Sequence, residues 1–417
     1  MTRDGRDRSI ATQENGVSVK SPVILSTLIA LVALGGPLAD FARAQEASID
    51  FGGALRYNYR YQTWDSAEAN RDKGGEFLLD TLRFEADGTY GDLTISAEYR
   101  FYQGYHMIHH GYVSWDYSER SSLMLGVHQV PFGITPYASH NWFFDIGYYV
   151  GLEDDYDAGI QHVTTGDTWD LRLAFYKEDE GNGTGNSTDS ARYSYDVVRG
   201  ELPNPLGGTV TRNNEEINQF NGRFAYTVDH GDDASTELGV SGQWGQLYNG
   251  DTTDNGSHFA AAVHANGNYG RFNVMASAML YEYDLELPDD DPLGELADEV
   301  VAFGAYDFPY WIAAKGQIFL FNVAYDSGWA VGPFENLTFY NDYSMLQKDM
   351  DDWETSQQNV LGFAGAAGPL YCYFDVAMGK NHPWLGDFPS TWTYGLATGD
   401  PDADWEIRYN INFGYYF

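Results

Sequence analysis

The chain ends Trp405-Glu-Ile-Arg-Tyr-Asn-Ile-Asn-Phe-Gly-Tyr-Tyr-Phe417. From Trp405 every second residue is apolar or aromatic: Ile407, Tyr409, Ile411, Phe413, Tyr415 and Phe417. Glu406, Arg408, Asn410, Asn412, Gly414 and Tyr416 fall between them. Successive side chains of a strand point to opposite faces, so a period of two describes a strand with one oily and one wet face. The pattern lasts 13 residues, whereas strands of soluble proteins usually run about 5–6. A tilted strand crossing a bilayer needs about 9–11.

Residues 47–62 repeat the pattern, with Ile49, Phe51, Leu55, Tyr57, Tyr59 and Tyr61 on one face and Asp50, Arg56, Asn58 and Arg60 on the other. Sixteen segments qualify as strands: 47–62, 76–88, 93–103, 107–117, 122–130, 157–164, 168–176, 217–229, 236–248, 256–267, 271–284, 312–326, 336–347, 356–366, 369–380 and 404–417. The gaps alternate between tight ones (89–92, 118–121, 165–167, 268–270) and long ones (63–75, 131–156, 177–216, 285–311, 381–403). Lipid offers no partner for backbone N–H and C=O groups, so a membrane sheet must close on itself. The expected fold is an all-β, antiparallel, up-and-down transmembrane barrel of about 16 strands, with both termini on the periplasmic, short-turn side. The count is least defined over 285–335, and 14 or 18 strands are the alternatives.

Residues 1–21 carry Arg3, Arg6, Arg8 and Lys20; an apolar run follows from Pro22 to Leu38, then Ala42-Arg43-Ala44. A charged start, an apolar core and an A-x-A exit describe a secretory signal peptide removed after Ala44. Residues 45–417 are then expected to form one barrel domain. They hold 32 Tyr, 23 Phe (24 in the whole chain less Phe41) and 11 Trp in no long apolar run, and one cysteine, Cys372. The whole chain has a formal net charge of −38. Taking away the five basic and four acidic residues of the leader leaves 18 Lys and Arg against 57 Asp and Glu. Phosphate binding needs Lys and Arg, so nucleic acid is excluded as a partner.

If Phe417 and Tyr415 face lipid, then Arg408, Arg56, Arg60, Arg83 and Arg100 face the lumen from strands that become neighbours on closure. Arg172 and Arg223 follow, and Asp50, Glu85, Glu98 and Glu406 share the inner face. The long gap 131–156, beginning Pro131-Phe132-Gly133, is apolar and aromatic for a loop. Folding inward would bury its rings and present Asp145, Glu153, Asp154 and Asp155 to the channel, opposite the arginines. A transverse field across a constriction selects solutes by charge and dipole. A contact with a neighbouring subunit is the other way to cover such a loop.

Gly126-Val-His-Gln-Val-Pro-Phe-Gly133, a strand leading into that loop, resembles a segment of the phosphate-selective porin (porin O and P) family, and 151–160 resembles the return strand of related porins. The resemblance implies a 16-stranded trimeric porin whose third loop forms the constriction. It departs where phosphate selectivity is concerned, because 131–156 contains no Lys or Arg. The aromatic C-terminus resembles the signal by which outer-membrane barrels are recognised. The expected partners are therefore outer-membrane lipid and lipopolysaccharide, the barrel assembly machinery acting through the last strand, and two further copies of the chain.

The expected function is passive diffusion of small hydrophilic solutes and ions through a general or weakly cation-preferring pore. The alternatives are an anion or phosphate channel and an adhesive or lipid-transport barrel. An enzyme is not expected: Ser139-His140 is only a sequence neighbour pair, and no G-x-S-x-G occurs. No catalytic or metal site and no cofactor is expected. His106, His109 and His110 read as rim residues. The run Asp289–Asp291 with Glu295, Asp298 and Glu299 could hold surface Ca²⁺ through hard oxygen ligands, although a solvated acidic loop is the plainer reading, as it is for Asp349, Asp351, Asp352 and Glu354. The polar segment 178–192 reads as a mobile surface loop, and Cys372 as lipid-facing filler.

Overall fold

The structure, a computed structural model, describes residues 47–187, 189–204, 207–387 and 395–417; the expected leader, 1–44, lies outside them. Sixteen antiparallel strands close a barrel. In chain order they are β1 (Ala47–Gln62), β2 (Glu76–Tyr90), β3 (Leu93–Phe101), β4 (His106–Ser118), β5 (Ser121–Gln129), β6 (Tyr156–Thr165) and β7 (Trp169–Asp179). After three short loop strands, β8 (Asp196–Val197), β9 (Gly200–Pro203) and β10 (Thr209–Arg212), the wall resumes with β11 (Asn214–Gly231), β12 (Ala234–Asn249), β13 (Asn255–Tyr269) and β14 (Phe272–Asp284). A loop hairpin, β15 (Val300–Ala305) and β16 (Phe308–Ala313), precedes the last five: β17 (Lys315–Asp326), β18 (Asn336–Lys348), β19 (Ser356–Ala367), β20 (Leu370–Lys380) and β21 (Glu406–Tyr416). Each expected segment overlaps one wall strand. Ends differ by a residue or a few; the expected 312–314 belong to the hairpin and the bend after it, so β17 starts at Lys315.

Closure joins β1 to β21 from Ala54↔Tyr416 to Gln62↔Arg408. The terminal Phe417 takes part: Gly53 N donates to its carbonyl at 2.9 Å and its N–H donates to Gly53 O at 3.1 Å. On the outer face Tyr57 stacks on Phe77 and Phe413, with centroids 5.3 and 5.8 Å apart. That cluster spans the seam.

The wall is oily outside and polar inside, the reverse of a soluble protein. Phe51, Phe77, Leu125, Phe220, Val263 and Phe321 are more than half exposed. Asn58, Gln161, Gln243, Ser277, Asn322 and Asn410 on the inner face are buried. Near the tight turns, Trp115, Tyr117, Trp169, Tyr226, Tyr269 and Tyr415 are outward and exposed, an aromatic girdle of the kind that sits at a membrane–water boundary. Cys372, partly exposed, lies on the outer side of β20 beside outward Leu370.

Gly126 lies within β5, three residues before that strand ends at the inward loop. Its φ is +131°, and a Cβ there would lie 2.3 Å from Gly111 O and 2.8 Å from Tyr112 Cα. Both the backbone conformation and the backbone-to-backbone approach need glycine. Gly126→Ala is expected to destabilise the barrel by roughly 3 kcal/mol, read as a lower urea midpoint for refolding in detergent; an unchanged midpoint would show that the close approach of the two backbones is not required.

Candidate functional site

The loop 130–155, between β5 and β6, folds into the barrel and is fastened to the far wall through its backbone. Gly133 N donates to Ser241 Oγ at 3.0 Å, and Arg223 Nε donates to Gly133 O at 2.8 Å. Asn322 Nδ2 donates to Ala138 O, Gln358 Nε2 to Phe144 O, and Ile146 N to Ser344 Oγ. His140 is held from both ends: its N–H reaches Asp342 Oδ2 at 2.7 Å, and its ring lies 2.8 Å from Asp342 Oδ1 and 2.7 Å from Asn273 Oδ1. These partners stand on β11, β12, β14, β17, β18 and β19. A loop carries unpaired backbone groups wherever it goes, and the polar inner wall satisfies them. Pro131 and Phe132 are buried at its start.

The loop's apolar side chains find cover in two directions. Ile146, Val150 and Leu152 pack with Met279, Tyr281, Ile318 and Leu346 of the wall, and with Tyr195, Val197, Val301, Phe303 and Ile312 from other loops. Those other loops supply a three-stranded sheet, β16-β15-β8, that seats on the inward loop. One side of the lumen is thereby filled.

The other side stays open as a cavity of ≈ 2850 Å³ that touches residues at both ends of the barrel. Arg56, Arg60, Arg83, Arg100 and Arg408 all line it, with Arg172 further along. Facing them across the gap are Tyr137, Trp142, Phe143, Phe144, Tyr148 and Tyr149 of the loop. At two places the walls meet: the Arg408 guanidinium lies 5.0 Å from the Phe143 ring centre and 5.5 Å from that of Trp142, and Arg100 lies 4.4 Å from Tyr193.

Four of the five arginines carry a carboxylate. Arg56 pairs with Asp80 at 2.8 Å, Arg60 with Glu76 at 3.0 Å, Arg83 with Glu85 at 2.8 Å and Glu98 at 3.2 Å, and Arg100 with Glu98. Arg408 differs. Its polar side-chain partner is Asn410 Oδ1 at 2.9 Å, and it forms none of the ion pairs among the described residues. Asp50 and Glu85 also reach the cavity; Glu98 sits buried behind the arginines, and Glu406, half-buried, accepts from Thr63 Oγ1. Arg223, expected on the wall, is spent fastening the inward loop and pairing with Asp170 and Glu237.

The loop carboxylates are a correction. Asp145, Glu153, Asp154 and Asp155 do not line the cavity; all four turn inward and are buried. They serve the loop's own amides: Glu153 accepts from Ala138 N, Ser139 Oγ and Asp145 N, and Asp145 from Gly147 N. Asp154 accepts from Gln129 Nε2 at 3.0 Å and from the Tyr193 hydroxyl at 2.6 Å. Ser139 thus bonds Glu153, while His140 is engaged by Asp342 and Asn273. Burial pushes Asp145 up to about 6 and Asp154 up to about 7; Glu153 is raised well above the usual carboxylate range, through burial and then the nearby Asp145 charge.

An ordinary aspartate titrates near 3.9, so folded Asp154 holds a proton that the released loop gives up between pH 4 and 7. Loop stability therefore falls as pH rises through that window. Hydrogen-exchange protection of the 131–156 amides, corrected for intrinsic rate, is expected to drop by about a hundredfold from pH 5 to pH 8. Asp154→Asn should flatten much of that drop. A pH-independent wild type would contradict the assignment.

Other expected residues scatter. His109 and His110 touch each other, ring nitrogen to ring nitrogen at 2.8 Å, while His106 pairs with the Tyr99 hydroxyl. Asp291 is engaged by Arg212 at 2.5 Å, and Asp349 by Lys315 at 3.4 Å. The segment read as a mobile surface loop is buried at its end: Asp189, Ser190, Ala191 and Arg192 are at most 3% exposed. Arg192 is the reason, since it pairs with Asp179 and Asp196 and its Nε donates to Asp189 O. Tyr193, Tyr195, Tyr306 and Trp384 line the cavity without having been singled out in the sequence. The run Tyr193-Ser-Tyr195 just past the polar segment was the available signal. An acidic mouth at the tight-turn end, with Asp87, Asp167, Asp229, Asp232, Asp233 and Asp326, was equally unremarked.

In fold the chain is similar to an anion-selective porin from Comamonas acidovorans (14% identity, TM-score 0.55, 89% of this chain and 100% of that one). It is similar as well to the outer membrane channel DcaP of Acinetobacter baumannii (12%, 0.53, 89% and 97%). A third similar structure is the trimer form of OmpT, an outer membrane protein of Vibrio cholerae (13%, 0.52, 89% and 99%). No protein-family model matches the chain, and no curated protein matches it in sequence.

Proposed function

We propose that the chain is a porin of a Gram-negative outer membrane: a passive, water-filled channel for small hydrophilic solutes and ions, with the inward loop as its constriction. The observation that carries this reading is the ≈ 2850 Å³ cavity, pinched between five arginines and an aromatic loop face, inside a barrel whose outer surface is apolar. The tight-turn end and both termini then face the periplasm, the leader directs export, and the last strand is what the assembly machinery reads. Lipopolysaccharide is the expected neighbour at the long-loop end. A homotrimer fits the resemblance to trimeric porins. Neither an adhesive nor a lipid-transport role is favoured, because a lipid route calls for an apolar lumen.

A second reading has its own support. With the loop carboxylates turned away and Arg408 free of a carboxylate, the constriction favours anions over cations, contrary to the weak cation preference that composition suggests. A phosphate-specific ladder is not favoured, since four of the five arginines are already neutralised by neighbours.

Single-channel recording in a planar bilayer under a KCl gradient tests both. Large ohmic steps with a reversal potential on the chloride side are expected. Steps reversing on the potassium side would discard the anion reading and keep the porin. No steps from verified folded protein would discard the channel itself.

A further inference from the structure

A second charged centre lies away from the slot. Asp155, at the return of the inward loop, Asp157, the second residue of β6, and Asp196 of β8 bring carboxylate oxygens within 4.8 Å of one another, all buried. Glu180, Asp179 and Glu216 surround them, so six carboxylates converge where four chain segments meet. The cation among them is Arg192, whose Nη1 lies 2.6 Å from Asp179, 3.1 Å from Asp196 and 3.8 Å from Glu180. Gln219 Nε2 donates to Asp157, Tyr193 N and Ser194 N to Glu180, and Val197 N to Glu216. His258, 3.8 Å from Glu216, has no hydrogen-bond partner on either ring nitrogen.

A second observation points to a ligand. Asp155 Oδ1 and Glu180 Oε2 have no hydrogen-bond donor, although Asp155 is 7% and Glu180 6% exposed. Buried carboxylate oxygens are expensive to leave unmatched. Oxygens that share one Ca²⁺ lie within about 5 Å of one another, and one oxygen from each of the three aspartates meets that limit. All-oxygen ligands drawn from two strands and a loop suit Ca²⁺, whereas Mg²⁺ keeps its waters and is seldom held by an all-protein cage.

We propose that Asp155, Asp157 and Asp196 bind one Ca²⁺ that clasps the return of the inward loop to β6 and β8. The ion would neutralise the surplus negative charge and fasten the return end of the inward loop. The proposal stands whether or not the barrel conducts.

The folded full-length protein in detergent, stripped with EGTA, is titrated with CaCl₂ at pH 7.5 and its bound calcium measured by mass spectrometry. About one Ca²⁺ per chain is expected, with Kd below about 1 mM. Tb³⁺ should give Tyr-sensitised emission that Ca²⁺ displaces. The double variant Asp155→Asn, Asp196→Asn should lose both signals, while Asp289→Asn, Asp290→Asn on the exposed loop keeps them. Less than about a tenth of an ion per wild-type chain would overturn the proposal without recourse to any variant. So would undiminished binding in a folded double variant.

Discussion

Arg408→Glu is expected to turn the constriction from anion-accepting to cation-accepting, the largest functional change available from one substitution. Arg408 sits where the two walls meet and forms no ion pair among the described residues, so its charge acts on passing solutes undiminished. A unit charge about 6 Å from an ion in water is worth about 0.7 kcal/mol. Reversing it changes the energy of an anion by about 1.4 kcal/mol, and that of a cation by as much in the other direction. The chloride-to-potassium permeability ratio should therefore fall by about a hundredfold at low salt and by less at high salt, where screening intervenes. Reversal potentials at two ionic strengths measure it. An unchanged ratio would place the selective region elsewhere, the acidic tight-turn mouth being the obvious place.

The second large effect concerns stability. Arg100→Ala removes the guanidinium that Glu98 accepts, and Glu98 is 5% exposed. Arg83 still reaches Glu98 at 3.2 Å but also serves Glu85. Breaking a buried pair from one side typically costs about 3–5 kcal/mol, more than exchanging both partners. A loss of about 3 kcal/mol is expected, with Glu98→Gln added to Arg100→Ala recovering most of it. Urea titration of refolded protein, followed by the mobility difference between folded and unfolded barrel, gives both numbers. Should the double substitution prove as damaging as the single one, the loss would come from packing against Tyr193 and not from the stranded carboxylate.

The barrel was legible because its rule is simple. A period of two over ten or more residues, as from Ile49 to Tyr61 or Ile407 to Phe417, leaves little choice of element, and the surrounding solvent then decides which face turns out. The wall arginines followed from the same parity. Side chains in the inward loop obey no such period. Phe144 and Asp154 both adopt positive φ, and each such residue redirects its neighbours, so the burial of Asp145, Glu153, Asp154 and Asp155 could not be read from their order. The seating of β8, β15 and β16 over that loop was equally hidden, because its partners come from chain positions about a hundred residues apart. The low apolar content of 178–192 suggested disorder, and what orders its end is ionic: the carboxylates around Arg192.

The apolar contacts beneath the inward loop set this barrel apart from its own wall in one respect. Lifting the loop would bring Ile146, Val150, Leu152 and Phe303 into contact with lumen water, whereas nothing comparable happens on the lipid side. Exposure of such surface carries a positive heat capacity. The balance between seated and lifted loop must therefore curve with temperature, with the seated form strongest at an intermediate temperature and loosening on either side. The same contacts that narrow the lumen thus tie the seating of the loop to temperature.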